Sequence, residues 1–115
     1  MSATIYHNPK CTKSRLTLAI LEEKGLDFQI IKYLNETPSV EELKVLLGEL
    51  GMDARSLMRT HESPYKDNNL ENDSLSEDDL IQAMVDNPIL IERPIVRTNK
   101  GVVIGRPPEN VLAII

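Results

Sequence analysis

Tryptophan is absent from this chain, phenylalanine occurs once and tyrosine three times. A core for 115 residues must therefore be built chiefly from Leu, Ile and Val. Cysteine occurs once, which excludes an internal disulfide and a thiolate-rich metal site alike. A basic excess is missing as well. The net charge of −5 argues against non-specific binding to nucleic acid, though not against a local basic pocket. No run approaches the roughly 20 apolar residues of a membrane span, and the first residues carry no apolar signal stretch, so a cytoplasmic enzyme or regulator is expected.

What is present reads as one α/β domain over residues 1–115, without repeats or linker-like segments. Ala3 to Tyr6 has strand character and stops at Asn8-Pro9. Thr12 to Lys24 is helical, with Leu16, Ala19 and Ile20 on one face, Leu18 and Leu21 widening it, and Gly25 as a stop. Phe28 to Tyr33 is a second strand, so the three elements form a βαβ unit with parallel strands. A helical insert is expected at about 38–88. Ser39 and Glu42 have capping-box spacing ahead of a helix ending at Gly51, and a short helix falls near Ala54 to Met58. Residues 62–75 read as an irregular connection, and Ser76 to Val85 as another helix. Pro94 to Thr98 and Val102 to Ile104 then form a hairpin around Asn99, Lys100 and Gly101. Pro107 and Pro108 open a short final helix.

The single cysteine stands in "YHNPKCTKSR", residues 6–15, where the first strand runs into the first helix. Unpaired N–H groups and the helix dipole favour an anion at such a place, a thiolate included. A Cys of ordinary pKa is only about 3% ionised at pH 7, and a downward shift of about 2 units makes it mostly thiolate. Lys10, Lys13 and Arg15 add positive charge nearby, and His7 and Ser14 are in reach to hydrogen-bond the sulfur. Cys11 is thus either a small buried hydrophobe or an activated nucleophile, with the polar and basic neighbours favouring the latter. His7 suits a local modifier of the thiol better than a direct proton donor. No metal site is expected, since His7 and His61 lack further ligands at suitable spacing.

Three of the six arginines lie at element boundaries: Arg59 after an apolar run, Arg93 before the proline that opens a strand, and Arg106 after the hairpin. Guanidinium forks suit tetrahedral oxyanions, and a thiolate among them suits attack on an anionic centre. The five carboxylates between Glu71 and Asp79 read as a solvated face and helix start.

The segments "YHNPKCTKSR", "LMRTHESPYK", "ILIERPIV" and "GRPPENVL", in this order and spacing, resemble the glutaredoxin-dependent, ArsC-like arsenate reductases. The resemblance implies a thioredoxin-like, mixed four-stranded sheet with an inserted helical subdomain. It implies that Cys11 forms a covalent adduct with arsenate, with His7 and Ser14 supporting the ionised thiol. Arg59, Arg93 and Arg106 match the family's oxyanion-binding arginines, and Arg93–Pro94 matches its cis-proline. Glutathione is then a co-substrate and glutaredoxin a partner, with no bound cofactor and no role for nucleic acid or membrane. Thr12, Lys13 and Leu16 stand where well-characterised members carry Gly, Thr and Asn, a pattern closer to a housekeeping branch. Two alternatives remain open: a monothiol glutaredoxin-like redox protein, and a regulator resembling Spx that binds RNA polymerase. For the latter, Ser14 in place of a second cysteine removes the C-x-x-C switch.

Overall fold

The computed structural model describes residues 2–115, which divide into two compact units. One runs through Glu36 and resumes at Arg93–Ile115; the other, Thr37–Glu92, is inserted between its halves.

The first unit carries strands β1 (Ser2–Tyr6), β2 (Asp27–Ile31), β3 (Ile95–Thr98) and β4 (Gly101–Ile104), helix α1 (Thr12–Glu23) and a C-terminal 3-10 helix, Pro108–Ile114. The sheet order is β2-β1-β3-β4. β1 runs parallel to β2, with Ile5 opposite Ile30, and antiparallel to β3, with Ile5 opposite Val96. β3 and β4 form the expected hairpin, antiparallel with Thr98 opposite Gly101. This is the mixed, thioredoxin-like sheet anticipated above. Ile5 and Val96, on the two inner strands, belong to a buried cluster with Ala3, Leu21, Val111 and Ile114. β2 is an edge strand and leaves Ile30 38% exposed.

α1 buries only part of the face its apolar residues suggest: Leu21 is in the core and Leu18 and Ile20 pack against it. Ser14, Thr17 and Leu21 face inward, while Leu16 is 48% exposed. The reason is hydrogen bonding: Ser14 Oγ accepts from the Asn8 N–H at 3.1 Å, and Thr17 Oγ1 donates to the Lys13 carbonyl at 2.8 Å. Satisfied hydroxyls can be buried at little cost, so counting apolar residues alone leaves them out of the face. β2 also ends earlier than its apolar run, because the Asn35 and Glu36 N–H groups both donate to the Lys32 carbonyl and turn the chain.

The second unit holds α2 (Val40–Leu50), α3 (Ala54–Leu57), α4 (Ser63–Asp67), α5 (Glu77–Asp86) and a 3-10 turn, Pro88–Leu90. Ser39 caps α2 by accepting from the Glu42 N–H, without the return bond of a full capping box. Ser76 and Asp79 make both bonds at the start of α5. Gly51 ends α2 at a φ of 68°, a left-handed conformation that glycine adopts without strain. The stretch expected to be irregular contains α4, whose first turn holds Pro64, a position where proline's missing N–H costs nothing. The insert also runs past residue 88. Met58 bridges Ile91, Arg59 N–H donates to the Leu90 carbonyl at 2.7 Å, and Glu92 N–H donates to Leu57 at 3.0 Å. Those bonds keep residues 88–92 with the helices. No helix among the described residues is long and apolar enough to cross a membrane.

Candidate active site

β1 delivers the chain into a short loop that the backbone itself holds closed. His7 N–H still donates to Ile31 across the ladder at 2.8 Å, and Cys11 N–H turns back to the Asn8 carbonyl at 3.0 Å. Lys10 N–H donates to Asn8 Oδ1 at 3.0 Å, an Asx turn, so Asn8 shapes the loop with both carbonyl groups. Arg15 reaches back from α1 to the Pro9 carbonyl and to Thr12 Oγ1. Cys11 then stands at the N-cap of α1 in extended conformation, and its carbonyl accepts the first helical N–H, from Arg15.

The Cys11 side chain closes no conventional cap bond and is half-buried. Burial alone pushes the thiol up. The N–H of Ser14, the guanidinium of Arg93 and the N–H of Lys13 act against it by favouring the thiolate, and the balance lies below the ordinary cysteine value. Arg106 completes the setting: Nη1 lies 3.9 Å from Cys11 Sγ and 3.5 Å from the Arg93 carbonyl. Arg93, only 8% exposed, and Arg106 therefore flank the sulfur, and such an arrangement can bind an oxyanion within reach of a nucleophile.

His7 and Ser14 form a pair of their own. His7 Nδ1 and Ser14 Oγ share a hydrogen bond of 2.6 Å, and His7 makes none to the thiol. Burial, then the charges of Lys32 and Arg15, hold His7 below its usual pKa, which favours the neutral ring. Its link to Cys11 runs through Ser14, whose backbone N–H faces the sulfur. Arg59 belongs to the helical unit. There its guanidinium donates to Glu92 at 2.7 Å and Glu62 at 3.1 Å, and Nη2 lies 3.0 Å from Nε2 of the exposed His61. Among the described residues no group of three or more His, Cys, Asp or Glu is placed to hold a metal ion.

One contributor, Gly105, escapes a reading of the sequence alone. Gly105 N–H donates to the Pro94 carbonyl at 2.9 Å, tying together the segments that carry Arg106 and Arg93. A Cβ at Gly105 would lie 2.5 Å from Thr17 Oγ1 and 2.9 Å from Pro94 Cγ, so only glycine lets this segment approach α1. The one available signal was a glycine at the end of a β-branched strand. The peptides Arg93–Pro94 and Arg106–Pro107 are both cis. Thr12 adopts no positive φ, so its place after the cysteine does not require glycine. Leu16 faces outward.

A thioredoxin-like sheet with one thiol at the first helix start and two arginines against it defines a single-thiol protein of thioredoxin-like fold. The chain belongs to the ArsC family, whose model matches residues 6–114. It is 49% identical to an arsenate reductase of Haemophilus influenzae over 100% of both chains. It is 54% identical to the uncharacterized protein YfgD of Escherichia coli K12, over 96% of this chain and 94% of that one. Among solved structures, an arsenate reductase from Vibrio cholerae superposes with a TM-score of 0.97 at 55% identity, covering 100% of this chain and 98% of the other.

Proposed function

We propose that the chain reduces arsenate to arsenite, with Cys11 as nucleophile and glutathione and glutaredoxin as the source of electrons. The observation that carries this reading is the meeting of Arg93, Arg106 and the first N–H groups of α1 at the only thiol. Family membership, and relatives named arsenate reductase, support the substrate.

In this reading the Cys11 thiolate attacks arsenic, forming an S–As(V) bond and expelling one oxygen as water. Glutathione displaces a second oxygen. Attack by a glutaredoxin thiol on the glutathione sulfur forms a mixed disulfide, and the S–As electron pair leaves with arsenic, which becomes As(III). Hydrolysis then frees arsenite and returns the thiol. Two external thiols supply two electrons, as a chain with one cysteine requires. Arg93 and Arg106 stabilise charge on the arsenate oxygens, and His7 acts through Ser14 on the loop. Arg59 is assigned as a third oxyanion ligand on the resemblance of its segment, and its carboxylate partners hold the guanidinium in one place. No resident cofactor is required, and the cytoplasm, where glutathione keeps thiols reduced, is the setting that suits the chemistry.

The test is arsenate reduction with glutathione and glutaredoxin for the wild type, Cys11→Ser and Arg93→Ala. The serine variant should be inactive, and the alanine variant should lose on the order of 10²-fold in kcat/KM. A wild type that ignores arsenate yet reduces glutathionylated substrates would overturn the reading in favour of a monothiol, glutaredoxin-like activity.

A further inference from the structure

Beside His7 lies a cavity that the chemistry above does not use. It has a volume of about 290 Å³ and is lined by His7, Pro9, Lys10, Lys32, Leu34 and Asn35. Every one of these residues belongs to the sheet unit. Two of its wall residues, Pro9 and Lys10, belong to the loop that leads into Cys11.

The lining brings two exposed ammonium groups to one cavity. Neither Lys10 nor Lys32 has a carboxylate partner among the described residues, although acidic residues outnumber basic ones and Glu36 follows Asn35. Lys32 is near enough to depress the His7 pKa by its charge. The Asn35 side-chain amide makes no protein hydrogen bond, and the ring of His7 has Nδ1 committed to Ser14 while Nε2 has no protein partner. Pro9 and Leu34 supply apolar surface between these polar groups, and Leu34 is among the exposed large hydrophobic residues. Two unpaired ammonium groups, an amide and an imidazole around a small apolar patch suit a peptide-like molecule bearing carboxylates. Tetrahedral oxyanions have a better receptor in the guanidinium forks of Arg93 and Arg106.

We infer that this cavity is the binding site for the carboxylate-bearing thiol co-substrate, with Lys10 and Lys32 holding its carboxylates. The inference rests on the proposed reduction only for the identity of that co-substrate. Binding itself is separable from turnover, and so is its test.

The probe is S-methylglutathione, which carries the carboxylates but cannot react, titrated calorimetrically into the full chain. Lys32→Gln should weaken binding about 5-fold and the Lys10→Gln/Lys32→Gln pair about 30-fold, while Lys32→Arg should stay within about 2-fold of the wild type. The diethyl ester of the probe should bind the wild type as weakly as the free acid binds the double variant. In turnover, Lys32→Gln should raise the KM for glutathione and leave that for arsenate unchanged. Equal affinity across all variants overturns the inference, as does a rise confined to the arsenate KM. Lysine-dependent binding in a protein that reduces no arsenate would sink the proposed reduction and leave this site standing. Arsenate turnover with lysine-independent binding does the reverse.

Discussion

In the helical unit, α2, α3 and α5 each begin on a residue whose side-chain oxygen accepts a backbone N–H: Ser39, Asp53 and Ser76. In the sheet unit, α1 begins on Cys11, which closes no such bond. The same contrast runs through the arginines. Arg59 is held between Glu62 and Glu92, and Arg55 by the Tyr65 hydroxyl and the carbonyls of Leu70 and Asn72. Arg93 and Arg106 instead face a sulfur. Helix starts and cations are the same raw material in both units. In the helical unit three of the four α-helix starts and both arginines are tied to oxygen partners, whereas at Cys11 a helix start and two guanidinium groups meet a sulfur.

Filling the open helix start is the most direct way to break this contrast. Cys11→Asp installs an ordinary cap, so arsenate turnover should fall by at least about 10³-fold while chemical denaturation shows a gain of about 0.5–1 kcal/mol. A loss of stability instead would mean that the α1 start is strained and not merely uncapped.

Removing a cation from the thiol side should show next. Arg106→Ala should lower kcat/KM for arsenate on the order of 10²-fold, and alkylation of Cys11 by iodoacetamide should shift toward higher pH. In the wild type that alkylation should persist below the pH range of a free cysteine, because the depressed pKa keeps thiolate present there.

Gly105→Ala tests the backbone that brings Arg106 to α1. The clash with Thr17 and Pro94 should cost about 1–3 kcal/mol in urea unfolding and should raise the arsenate KM more than it lowers thiol reactivity. On the closed side, Ser76→Ala should cost about 1 kcal/mol and leave kcat and both KM values unaltered.

The smallest effect is one of pH. His7 has a folded pKa below its unfolded value of about 6.5, so the native state binds fewer protons than the unfolded chain there. Its contribution is intact above pH 6.5 and declines as acid is added through the folded pKa. His7→Gln should flatten that slope in urea midpoints measured between pH 7 and pH 5. An unchanged slope would place the acid sensitivity elsewhere.

Much of this contrast was legible beforehand. The strand-loop-helix transition at Cys11, the caps at Ser39 and Ser76 and the hairpin all follow from local chemistry that acts over a few residues. The pairing of Arg93 and Arg106 beside the thiol followed only from resemblance, because periodicity cannot bring residues 11, 93 and 106 together. The inward turn of Ser14 and Thr17 on α1 was missed because they satisfy their hydroxyls through Asn8 and Lys13, bonds that no hydropathy pattern contains. Gly105 was missed for a related reason: what matters there is the absence of a side chain against two distant neighbours.

The order of parts along the chain has a consequence for synthesis. Cys11 leaves the ribosome early, the whole helical unit follows, and only then do Arg93 and Arg106 appear. A nascent chain therefore displays its thiol before Arg93 and Arg106 exist to flank it. Until then only the N–H groups of Lys13 and Ser14 favour its thiolate, and the guanidinium of Arg93 adds its share once the rest of the sheet unit has been made.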